Sequence, residues 1–105
     1  WKEIPKMMTA YRYRFCDRID LREARETLTL ALLAAEGLFG PSRVRADASW
    51  ADDESINTLV IDAGTPVGAA INRIFLAFIT AEFGADAFDV RRVEIIGAFL
   101  AREGR

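Results

Sequence analysis

The stretch LVIDAGTPVG, residues 59–68, decides how this chain folds. Its apolar run Leu59, Val60 and Ile61 ends on Asp62, as a buried strand would. Gly64 then supplies a flexible turn. Thr65 is a preferred helix N-cap, and Pro66 stands at the first helical position, where a missing N–H costs nothing. The stretch therefore predicts a strand end, a turn and a helix start, with every residue from Gly64 to Pro66 given structural work.

Working outward, residues 56–63 (INTLVIDA) read as a strand, and the helix beginning at Thr65 runs to Gly84. Upstream, residues 43–50 (RVRADASW) alternate apolar and polar, and residues 51–55 (ADDES) form a polar turn, so the three pieces predict a hairpin. Residues 10–17 (AYRYRFCD) alternate aromatic and arginine, a period-two strand signal. Asp20, with Glu23 three residues on, opens a first helix as a capping box, and Gly37 is placed to end it. Residues 87–95 (AFDVRRVEI) predict the last strand.

The order β-α-β-β-α-β, with right-handed crossovers and a central hairpin, predicts an α+β fold. Its expected form is a ferredoxin-like sandwich: a four-stranded antiparallel sheet with two helices on one face. A chain of 105 residues fits one domain, and 51% apolar with 29% charged residues suits a globular one. Residues 1–8 are expected to be an N-terminal extension, native or added. Residues 9–95 are expected to form the domain, and residues 96–105 a tail or short helix.

In the first strand Arg12 and Arg14 share one face and Tyr11, Tyr13 and Phe15 the other. Unpaired arginines do not belong under helices, so the aromatics are expected in the core. The same rule sends Val44, Ala46, Ala48 and Trp50 inward, and Arg43 and Arg45 outward, with Arg91 joining them from the last strand. The open face is thus expected to carry Arg12, Arg14, Arg43, Arg45 and Arg91 with Asp62 at its border, as a solvated face whose arginines pair with Asp47, Asp62, Asp89 and Glu94, or alternatively as an anion- or ligand-binding surface. RNA-binding sheets of this topology stack bases on exposed aromatics, which here face the core, so nucleic acid is disfavoured as a partner.

On the first helix Leu21, Ala24, Leu28, Leu32 and Ala35 form the predicted core stripe, leaving Leu30 and Leu33 outside. On the second, Val67, Ile71, Ile74, Phe75 and Phe78 are the predicted core stripe, with Leu76, Ile79 and Phe83 grouped around Asn72 on the outer side. Leu30, Leu33, Leu76, Ile79 and Phe83 are therefore the expected partner interface. The competing cover is intrachain: Trp1, Ile4, Phe99 and Leu100 folded back over the helices.

Absences narrow the chemistry. The chain has no histidine, which removes Ser-His-Asp and Cys-His catalysis and every His-containing metal site. Its one cysteine, Cys16, permits neither an internal disulfide nor a Cys₄ zinc site. Asp52, Asp53 and Glu54 lack the regular spacing and glycine of a calcium loop. Asp-Ala-Gly-Thr (62–65) resembles the phosphate turn of sugar-kinase-like ATPases and the Asp-Gly turn of aspartic proteases. The first needs a much larger two-lobed fold. The second needs two such aspartates sharing a proton, and the chain has one such turn. No Walker A or GxGxxG pattern is present.

No catalytic residue, cofactor or metal is expected. The net charge of −2 provides no bulk attraction to nucleic acid or anionic membrane. The expectation is a non-enzymatic assembly module of the bacterial cytoplasm, a homo-oligomer or bound to a protein partner through its helices. The alternative is a ligand- or nucleic-acid-binding module using the arginine face.

Overall fold

The computed structural model describes residues 7–96. Its elements are β1 (Met7–Phe15), α1 (Leu21–Phe39), α2 (Pro41–Asp47), β2 (Trp50–Asp53), β3 (Thr58–Asp62), α3 (Pro66–Phe83) and β4 (Phe88–Ile96). The fold is α+β: an open four-stranded sheet in the order β2-β3-β1-β4, every described pairing antiparallel, with three helices. Met7 and Met8, expected in an extension, belong to β1 and pair with Ile96 and Ile95. Trp1, Ile4, Phe99 and Leu100, the expected intrachain cover, lie outside the described residues.

The residues of the 59–68 stretch fold as their chemistry dictates. The Thr65 Oγ1 accepts from the Gly68 N–H at 2.9 Å, and Pro66 opens α3. Before them the Asp62 Oδ1 accepts from the Gly64 N–H at 2.7 Å, closing the turn. Thr65→Ala removes the cap and is expected to lower the unfolding free energy by about 1 kcal/mol in urea titration.

Two boundaries differ from expectation. The expected strand over residues 43–50 is instead α2 followed by a four-residue β2 starting at Trp50. Pro41 at the helix start and the i,i+4 pair of Arg43 with Asp47, 3.7 Å apart, favour helix, and Val44 is the helix's buried residue. The alternation of Val44, Ala46, Ala48 and Trp50 was therefore no strand signal, and Ala46 is exposed. The first helix likewise passes through Gly37 and stops at Gly40, whose φ of 90° is a conformation that glycine takes at little cost.

The core lies between the helices and one face of the sheet. Tyr13 and Phe15 of β1 and Leu59 and Ile61 of β3 meet Leu28 and Ala31 of α1 and Ile71, Phe75 and Ile79 of α3. Tyr13 is the hub: its ring meets Phe75 edge-on, with centroids 5.0 Å apart, and lies 6.2 Å from Phe88.

α3 is rotated relative to its expected orientation. Asn72 points inward, where its Oδ1 accepts a hydrogen bond from the Tyr13 hydroxyl. Ile79, assigned from sequence to the outer side, is fully buried, whereas Phe78, assigned to the core, is 38% exposed. A polar residue normally marks the solvent side of a helix, but a hydrogen-bonded amide is stable inside.

Candidate functional site

α1 turns an apolar back to solvent. Leu30 and Leu33 are each 56% exposed and Leu38 is 69% exposed. The Thr27 Oγ1 donates to the Glu82 Oε1 at 2.6 Å, which fixes the flank where α1 and α3 meet. Leu30, Ala34 and Leu38 follow Thr27 at three, seven and eleven residues, and Phe78 and Ile74 precede Glu82 by four and eight. By helical spacing they line the two banks of this seam, with Leu33 farther round α1.

Of the five residues expected at an interface, Leu30 and Leu33 are on this exposed back. Leu76 and Phe83 lie on the other flank of α3, half-buried against the core. Ile79 is inside, as described above, and does not belong to the patch. Leu38 and Phe78 are exposed beside that patch and were not among the five. Leu38 was overlooked because α1 was expected to stop at Gly37, and Phe78 because the buried Asn72 displaced the predicted stripe.

The sheet's other face carries Arg12, Arg14 and Arg91, since the alternate residues Tyr13 and Leu59 enter the core. Arg12 stands directly opposite Arg91 in the ladder, and Arg14 opposite Asp89. The Arg91 Nε lies 3.1 Å from the Asp89 Oδ2. Arg43 and Arg45, expected on this face, are in α2 instead, because the segment coils rather than extends. The Arg43 guanidinium sits 5.1 Å from the centre of the Phe39 ring. Asp62 pairs with Ala10 at the far end of this face and is buried.

The acidic turn is engaged with the fold. Arg25 of α1 donates to Asp52 through Nε and to the Glu54 Oε2 through Nη2, the latter at 2.7 Å. These bonds, Glu54 first and then Asp52, hold the guanidinium pKa above its ordinary value. The Asp53 Oδ1 accepts from the Ser55 N–H and hydroxyl at 3.0 and 2.6 Å. Among the described residues no group of three or more His, Cys, Asp and Glu is placed to hold a metal ion.

Asn57, expected inside the strand over residues 56–63, instead precedes β3 and has a structural role. It adopts the left-handed conformation with φ of 51°, and its Nδ2 lies 3.2, 3.1 and 3.0 Å from the carbonyls of Phe15, Cys16 and Ile19. It ties the turn before β3 to the loop leaving β1. An asparagine just before a strand and just after a polar turn is the available signal, since asparagine tolerates this conformation better than most residues.

α3 is long and apolar enough, by length and composition, to cross a membrane. Its buried stripe and the Tyr13–Asn72 hydrogen bond place it in the core of the fold. Set against family models, curated proteins and solved structures, the chain matches none.

Proposed function

We propose that this chain is a non-enzymatic association module that binds a second copy of itself through the apolar seam between α1 and α3. Its architecture reads as a ferredoxin-like sandwich with α2 added between α1 and β2, working in the bacterial cytoplasm. The observation that carries the reading is the exposure of Leu30, Leu33 and Leu38 along one stretch of α1, with Phe78 beside them. Scattered exposed leucines are ordinary, but several on one helix face form a patch of the kind that partners cover.

Burying a leucine is worth about 1.5–3 kcal/mol relative to full exposure, so covering half-exposed ones contributes a fraction of that at each position. Leu30→Glu combined with Leu33→Glu is expected to weaken self-association about 100-fold, as read by sedimentation equilibrium. The stability of the monomer is expected to stay within about 0.5 kcal/mol of wild type, because both side chains face solvent there. Wild-type protein that stays monomeric at high concentration would contradict the reading.

A further inference from the structure

The open face of the sheet holds a second surface, independent of the helical seam. Across all four strands one row of the ladder runs Ala51, Val60, Arg12, Arg91. Half the row is apolar and half is basic. Beside it lies a cleft of 470 Å³ lined by Arg12, Ala51, Asp52, Asp53, Ile56, Thr58 and Val60, a volume within the range of small-molecule sites, and the Asp52 carboxylate there is held by Arg25. Ile56 is 49% exposed at its rim.

Arg12 has no ion-pair partner among the described residues, and the residue across the ladder from it is another arginine. Like charges directly opposite repel, so an anion held between them is favoured. Asp53, Asp62 and Asp89 are on the same face as Arg12, Arg14 and Arg91, so the face as a whole is balanced, and Arg12 is the one guanidinium that lines the cleft. A single guanidinium suits one negative charge better than two. From Arg12 to Ala51 is two interstrand spacings, about 10 Å, the reach of a medium-length acyl chain.

We propose that this cleft binds an aliphatic monocarboxylate, its carboxylate on Arg12 beside Arg91 and its chain over Val60, Ala51 and Ile56. Arg12 supplies the planar donor fork that matches a carboxylate, and the apolar row removes the chain from water.

Octanoate is the probe, titrated into the ¹⁵N-labelled protein and followed by NMR at low salt. Saturable shifts are expected at the Arg12 side chain and at the Ala51 and Val60 amides. Acetate, which has the charge without the chain, and octanol, which has the chain without the charge, are each expected to bind about tenfold more weakly or worse. Arg12→Gln is expected to weaken octanoate by about tenfold, and Arg45→Gln on α2 to leave it unchanged. Absence of saturable shifts overturns the proposal. So does octanoate binding that survives Arg12→Gln, or shifts centred on Leu30 and Leu33, which would place the ligand at the helical seam.

Discussion

Tyr13→Ala is expected to remove about 3–5 kcal/mol of folding stability, a large share of the roughly 5–15 kcal/mol that a domain possesses. The ring is fully buried and contacts aromatics of α3 and β4, so its loss leaves a cavity at the junction of helix and sheet. Tyr13→Phe separates the hydroxyl from the ring. It keeps the packing but strands the buried Asn72 amide, at a cost of about 1–3 kcal/mol. Pairing it with Asn72→Leu removes both polar groups and is expected to recover part of that loss. Chemical denaturation of the four proteins reads all these differences directly.

The same hydroxyl gives the protein an alkaline limit. Burial, with a smaller contribution from Tyr11, pushes the Tyr13 pKa above its ordinary value of 10.0. The unfolded chain therefore releases this proton at lower pH than the folded one. The stabilisation is fully present below pH of about 10 and is lost as the pH rises from there toward the folded-state pKa. Tyr13→Phe lacks this group, so its stability is expected to fall less steeply than that of wild type over that range. Parallel slopes would show that Tyr13 is not held protonated by the fold.

Gly68→Ala is the second large effect, and its sign is diagnostic. Alanine inside a helix is favoured over glycine by about 0.8–1 kcal/mol, so helix propensity alone predicts stabilisation. A Cβ at Gly68, however, would approach the backbone carbonyl of Asp62 to under 3.0 Å. Both atoms belong to the backbone framework, one at the strand end and one in the first turn of α3, so neither can swing aside. Overpacking of this kind costs about 1–3 kcal/mol, and so close a backbone approach belongs at the upper end, so after the helix-propensity gain the expected net result is a loss of about 2 kcal/mol. A gain in stability would mean that β3 and α3 do not meet through this glycine.

Gly68 closes the stretch whose reading decides the fold, and the stretch shows what sequence could reveal. Thr65 and Asp20 accept hydrogen bonds from backbone N–H groups three and two residues away, and Pro66 acts through its fixed φ and missing N–H, so their roles are legible locally. β1 was legible because strict alternation of arginine and aromatic fits one orientation. α2 was not, since Val44, Ala46 and Ala48 satisfy a period of two while the segment is short enough for Pro41 and the Arg43–Asp47 pair to decide. The face of α3 was not legible either. Its orientation depends on Asn72 meeting a tyrosine 59 residues away in sequence, a contact that no local pattern encodes. The exposed apolar set differs for the same reason: Leu30 and Leu33 of the expected residues are exposed, Ile79 is buried, and Phe78 is exposed in its place. On the sheet, Arg12, Arg14 and Arg91 were readable from strand alternation, whereas Arg43 and Arg45 depended on a strand that is helical.

The claim that the α1–α3 seam is where copies meet is tested most directly by isotope-filtered NMR. A mixture of labelled and unlabelled wild-type protein reports only contacts between copies. The account predicts intermolecular cross-peaks to the methyl groups of Leu30, Leu33 and Leu38 and to the Phe78 ring, and none to the buried Leu59 or Ile79. Cross-peaks confined to other surfaces, or none at a concentration where the mass is that of a monomer, would contradict it.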